Sequence, residues 1–129
     1  VGTKNVPSPG KDFGAYSASK AAEVQLAKVL AVENGEHGIR ANIINPDAVF
    51  RGSSLWSSEV RAGRAAAHGI SEDELEDFYR QRNLLQLPVM AEDVAEAITL
   101  IAKLPMKSNI PNMIIRPSFT RDMSEIKVV

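Results

Sequence analysis

The chain has 129 residues, with 15 basic against 16 acidic side chains, a net charge of −1 and no cysteine. That balance excludes a basic nucleic-acid binder, a disulfide scaffold, thiolate chemistry and a cysteine-held metal site, and it fits a reducing, cytoplasmic setting. Apolar residues make up 44%, yet no run approaches the roughly 20 residues that span a bilayer, so one compact domain with no membrane and no nucleic-acid partner is expected.

The opening Val1-Gly2-Thr3-Lys4-Asn5 resembles neither a signal peptide nor a natural start, and residues 1–3 read as the tail of a strand that begins further upstream. Pro7, Pro9 and Gly10 make residues 4–11 a loop. Asp12 is the expected N-cap of a helix over residues 13–34, with Ala18, Ala22, Leu26, Val29 and Leu30 as its apolar stripe. Asn34, Gly35 and Gly38 end it. Residues 39–45, with Ile43 and Ile44 at their centre, read as a buried parallel strand. Strand, long helix and strand form a crossover unit of a parallel sheet.

Between Pro46 and Pro88 the pattern changes. A serine-rich loop around Leu55 and Trp56 precedes a short helix over residues 59–68. Ser71-Glu72-Asp73-Glu74 has the form of a capping box opening a helix to about residue 82. Inserted helices after a sheet strand form a substrate wall or lid, because ligands bind outside the carboxyl ends of such strands; the alternative is a surface hairpin that only covers the sheet. Trp56 either closes over a substrate or pins this loop to the core. A further helix starts at Ala91, with Val94, Ala97, Ile98, Ile101 and Leu104 on one face, and stops before Pro105. Residues 112–116 read as a last strand, and residues 118–129 carry no clear pattern.

The residues with the most chemistry are Tyr16-Ser17-Ala18-Ser19-Lys20. On a helix, Tyr16 and Lys20 lie one turn apart on the same face. An ammonium beside a phenol favours the phenolate, which suits the phenol to proton transfer near neutral pH. Without further context the pair could equally be a solvated helix face. Small neighbours would let a flat ligand or a partner helix approach closely. Thr3 supplies a hydroxyl thirteen residues upstream of Tyr16, and Pro46 opens a loop thirty residues downstream of it, after a strand ending in Asn45.

Hydroxyl, Tyr-x-x-x-Lys and a strand followed by a proline loop resemble the short-chain dehydrogenase/reductase family over nearly the whole chain. The resemblance implies an oxidoreductase using NAD or NADP on a small alcohol or aldehyde. Tyr16 would be the general acid/base, Lys20 would assist it and bind the nicotinamide ribose, and Thr3 would hold the substrate oxygen where the family has Ser. Pro46, Ala48 and Val49 match the loop beside the nicotinamide, with Asp47 and Arg51 standing where Gly and Thr are usual. Lys4-Asn5, Pro9-Gly10-Lys11, Asn45-Pro46-Asp47-Ala48-Val49 and Phe78-Tyr79-Arg80 resemble the dehydrogenase domains of bifunctional rhamnulose-1-phosphate aldolase/alcohol dehydrogenases, which implies a lactaldehyde-like substrate. Ile110 to Ser118 looks more like the serine and 3-hydroxy acid dehydrogenase branch.

The eight glycines include no strand-to-helix glycine-rich turn of the kind that cradles a pyrophosphate. The expected fold is therefore α/β, the C-terminal half of a Rossmann-like doubly wound parallel sheet with an inserted helical substrate-loop segment. A single partial domain is expected, divided into residues 1–45, 46–88 and 89–129. By the same resemblance, the helix carrying Tyr16 would join copies into a homo-oligomer. Without the phosphate-binding turn, the chain by itself is expected to be inactive as a dehydrogenase; the alternatives are a non-catalytic assembly unit of a dehydrogenase or a small-molecule binding module around Trp56.

Overall fold

The structure, a computed structural model, describes residues 1–117; the pattern-free tail at 118–129 lies outside the described residues. The described elements run α1 (Gly14–Asn34), a 3₁₀ turn (Gly35–His37), β1 (Ile43–Pro46), α2 (Ser58–His68), α3 (Leu75–Arg80), α4 (Ala91–Lys103) and β2 (Asn112–Ile115). They divide into a sheet unit, Val1–Asp47 with Glu92–Ile115, and a loop unit beginning at Ala48–Ala91 and taking up the chain again at Arg116. Among the described residues no helix is long and apolar enough to cross a membrane.

In the sheet unit β1 and β2 pair in parallel, from Ile43 opposite Asn112 to Pro46 opposite Ile115. The chain from Gly2 to Lys4 lies along the other side of β1: Gly2 N donates to Ile44 O at 2.8 Å and Lys4 N to Pro46 O at 3.1 Å. The expected strand at residues 1–3 is thus present only as one-sided pairing. At position 46 the returning donor would be a proline nitrogen, which carries no hydrogen. The expected strand over residues 39–45 shortens to β1. Arg40 and Asn42 reach residues 108–110 through side chains, Arg40 Nη1 to Ser108 O at 2.9 Å and Asn42 Nδ2 to Ile110 O at 2.8 Å, so the regular ladder starts at Ile43.

The N-cap expected at Asp12 is corrected. Asp12 has φ 69°, outside the extended region a cap adopts; Phe13 takes the position with no side-chain cap bond. Helix α1 ends where Asn34 Nδ2 turns back to Leu30 O at 2.9 Å and Gly38, at φ 73°, reverses the chain. The predicted apolar stripe is corrected as well: Ala18, Ala22, Leu26, Val29 and Leu30 are exposed. The covered line is Tyr16, Ser17, Lys20, Val24, Ala27 and Ala31, also at helical spacing, and only Val24 is fully buried. Gly2 is why Val24 can approach: a Cβ there would lie 3.3 Å from Val24 Cγ2. In α4, Ile101 is buried and Val94, Ala97 and Leu104 are half-buried, while Ile98 is exposed, against expectation.

The loop unit has its own small core of Ala65, Leu75 and Val89. Helix α2 is capped at both ends, Ser57 Oγ accepting from Val60 N and Gly69 closing the last turn at φ 67°. Helix α3 is shorter than expected. Glu74 Oε2 accepts from Ser71 N at 2.9 Å, but Ser71 Oγ also donates to that carboxylate at 2.8 Å instead of capping a backbone amide. Residues 71–74 therefore form a turn ahead of the helix. After α3 the buried Asn83 clasps the chain: Nδ2 donates to Arg80 O and Leu87 O, and Oδ1 accepts from Leu87 N.

Candidate active site

The sheet unit brings four of the six sequence-predicted site residues into one body: Thr3, Tyr16, Lys20 and Pro46. Thr3 lies beside the carboxyl end of the middle strand. It is buried, its N–H donates to Asn45 Oδ1 at 3.1 Å, and its Oγ1 accepts from Asn5 N at 3.3 Å. A hydroxyl that already accepts a backbone hydrogen bond keeps its own proton to donate. Tyr16 is the third residue of α1, half-buried, with its ring 5.9 Å from that of Phe13.

Lys20 follows one turn later on the same covered line. Its Nζ donates to Val1 O at 3.3 Å and to Glu23 Oε2 at 2.7 Å. The ammonium therefore touches the segment leading into Thr3. Its hydrogen bond, with its charge behind it, holds the Glu23 carboxyl below the usual carboxylate range. An ammonium has three donors, so one remains for a ligand oxygen.

Pro46 ends β1, and its carbonyl receives Lys4 N. Beside it Lys4 Nζ and Asp47 Oδ1 form an ion pair at 3.8 Å, with side chains only 17% and 15% exposed. Ala48 and Val49 are half-buried and open the loop unit.

One residue the sequence reading left without a role organises this end of the sheet. Asn45, 1% exposed, accepts from Thr3 N and donates through Nδ2 to Asn112 Oδ1 at 2.6 Å, joining three segments. The signal for it was an amide side chain inside an otherwise apolar strand, where a buried polar group must have partners.

In the loop unit Trp56 stacks on Phe50 with centroids 4.0 Å apart, and the Tyr79 ring stands edge-on to both at 5.4 and 5.3 Å. Arg61 lies over Phe50 and pairs with Glu76 at 3.0 Å. Trp56 thus packs on Phe50 and Tyr79 within the loop unit. Its Nε1 is buried without a hydrogen-bond partner.

The family model described as Enoyl-(Acyl carrier protein) reductase matches residues 3–107. An uncharacterized oxidoreductase, YuxG, of Bacillus subtilis is 50% identical over 102 residues, 79% of this chain and 15% of that protein. The 2,3-dihydro-2,3-dihydroxybenzoate dehydrogenase of the same organism is 31% identical over 78% of this chain and 37% of its own length. (+)-Borneol dehydrogenase 2 of Salvia officinalis is 36% identical over 68% of this chain and 30% of its own length. In structure, a serine dehydrogenase solved in closed form with NADP+ superposes over 90% of this chain and 42% of that one, at a TM-score of 0.63 and 21% identity. The chain thus spans less than half the length of each of these relatives, and its α/β architecture is that of the Rossmann-like dehydrogenases. By its matched residues and its relatives, this chain belongs to the short-chain dehydrogenase/reductase family.

Proposed function

We propose that the chain is the catalytic portion of a cytoplasmic oxidoreductase that moves hydride between a nicotinamide cofactor and a small alcohol or aldehyde of lactaldehyde type. The observation that carries the reading is the shared unit: Thr3 buried beside the carboxyl end of β1, with half-buried Tyr16 and Lys20 in the same unit and Lys20 Nζ on the carbonyl of Val1, two residues before Thr3. In oxidation the substrate hydroxyl gives its proton to Tyr16 as the adjacent carbon gives up hydride. In reduction Tyr16 returns that proton to the carbonyl oxygen. Thr3 donates its hydroxyl hydrogen to the same substrate oxygen, and Lys20, by the family resemblance, would assist Tyr16.

The donor set suits a nicotinamide nucleotide. The remaining Lys20 hydrogen fits a ribose hydroxyl, and by the family resemblance Pro46, Ala48 and Val49 would be the loop beside the nicotinamide, Val49 through its backbone; the ring's part when bound is to accept or supply hydride. The division into residues 1–45, 46–88 and 89–129 would separate the Tyr-Lys crossover, the substrate segment and the closing helix and strand.

Titrating NADH and NADPH fluorescence with the intact protein tests the cofactor, and turnover of lactaldehyde and simple alcohols tests the chemistry. Tyr16→Phe is expected to lower kcat by about a hundredfold or more while leaving cofactor affinity nearly unchanged, whereas Lys20→Ala is expected to weaken both. Undiminished turnover in Tyr16→Phe would sink the assignment. A second reading, a non-catalytic assembly unit, is favoured by the exposed Leu26, Val29 and Leu30 on α1; it predicts self-association with no nucleotide affinity.

A further inference from the structure

Thr3 can serve as a substrate-holding hydroxyl only if its main chain is held still, and the segment that carries it runs along β1. That pairing skips Thr3: the flanking residues Gly2 and Lys4 donate to β1, and the Thr3 N–H goes to a side chain, Asn45 Oδ1 at 3.1 Å. Asn45 does not move freely to make this bond. It is 1% exposed, its Nδ2 is anchored on Asn112 Oδ1 at 2.6 Å, and Gly2 approaches it so closely that a Cβ there would stand 2.3 Å from Oδ1. The amide is clamped between the middle strand, β2 and the Thr3 segment. One lone pair of the Thr3 hydroxyl accepts from Asn5 N, which leaves its hydrogen to be aimed at a substrate oxygen.

We propose that Asn45 is a positioning residue for the reaction: its carboxamide fixes the Thr3 main chain, so that the hydroxyl keeps one aim at the substrate oxygen. This rests on the reading of Thr3 as the group that holds that oxygen. The cost of losing the clamp is kinetic as well as structural, since a displacement of about 1 Å in a reacting group can cost a hundredfold in rate. Asn112, at an exposed position, acts one step further out by orienting Asn45.

The test compares Asn45→Leu, Asn45→Asp, Asn112→Ala and Thr3→Val in the intact protein, measuring alcohol oxidation with NAD or NADP and amide exchange of the segment containing residues 1–5. Leu keeps the branched shape of Asn and removes both bonds; Asp keeps the acceptor for Thr3 N, and the Asn112 amide can turn to donate to its second oxygen. Asn45→Leu is expected to lose about tenfold or more in kcat with cofactor KM within about twofold of wild type. Asn45→Asp recovers most of that loss, and the Thr3 amide exchanges fast in the Leu variant but not in the Asp variant. Asn112→Ala is expected to show an intermediate loss, about two- to fivefold, and it supplies the test if the Leu variant does not fold. Wild-type kcat per folded molecule in Asn45→Leu and Asn112→Ala, or an Asp variant as slow as Leu, overturns the proposal while Thr3→Val is inactive. A wild-type protein that turns over no alcohol removes the functional reading, and the proposal with it.

Discussion

Gly2 shows how much one missing side chain decides. Its Cα lies where Asn45 Oδ1 and Val24 Cγ2 converge, so a methyl group would meet the first at 2.3 Å and the second at 3.3 Å. Asn45 cannot swing away without abandoning Thr3 N and Asn112, both of which it binds from a buried position. Gly2→Ala is therefore expected to destabilise the sheet unit by about 1–3 kcal/mol, the usual range for overpacking a tight site, measured by urea denaturation of the intact protein. Wild-type stability would mean that helix α1 or the amide has room to retreat. At this scale Tyr16, Lys20, Thr3 and Pro46 were legible as a spacing of chemical groups. The Asn45 clamp was not, because its partners are 42 and 67 residues away in the chain.

Short polar devices hold the individual elements of the loop unit. Asn83 is 1% exposed and makes three hydrogen bonds with the backbone of Arg80 and Leu87, bracing a turn in which Leu84, Leu85 and Leu87 are exposed. Asn83→Ala removes three hydrogen bonds to the backbone, so a loss of about 1 kcal/mol is expected, seen as faster amide exchange across residues 83–88. Exchange at the wild-type rate would show that the backbone holds this turn unaided. The turn before α3 responds to pH. Hydrogen bonds to Glu74, first from the Ser71 N–H and then from its hydroxyl, lower the carboxyl pKa in the folded protein. A lowered folded-state pKa means the contribution is fully present above the unfolded carboxylate value and is lost as pH falls through the folded one. Local exchange at residues 71–75 should thus quicken in acid, and Glu74→Gln should flatten that dependence. The capping-box residues were readable in sequence; that Ser71 would bond the carboxylate and delay the helix depended on the turn geometry.

For the whole molecule, the apolar face that α1 turns away from the sheet unit is the main surface feature. Leu26 is 59% exposed and Leu30 45%, on a helix whose covered line consists mostly of small and polar residues. If copies join through α1, as proposed from the family resemblance, Leu26→Glu with Leu30→Glu should convert the assembly to monomers in sedimentation velocity. Burying two unpaired carboxylates in an apolar interface is prohibitive. An unchanged sedimentation coefficient would place the interface elsewhere.

Local pattern in the sequence was enough to determine the long helix, the parallel crossover, the helix starting at Ala91 and the closing strand. Each depends on neighbours a few residues apart: apolar spacing, prolines, glycines and charges at helix ends. It also set Tyr16 and Lys20 one turn apart on α1, since four residues on a helix fix that spacing by themselves. Which face of α1 is covered was decided by the tertiary structure, because two faces of that helix are compatible with helical spacing and only contact with Gly2 and the sheet selects the one bearing Lys20 and Val24. The same holds for the loss of a regular ladder at residues 1–4, where a proline 42 residues further on withholds the donor, and for the amide that binds Thr3 to two strands. These depend on groups brought together by folding, and no local pattern encodes which of them will meet.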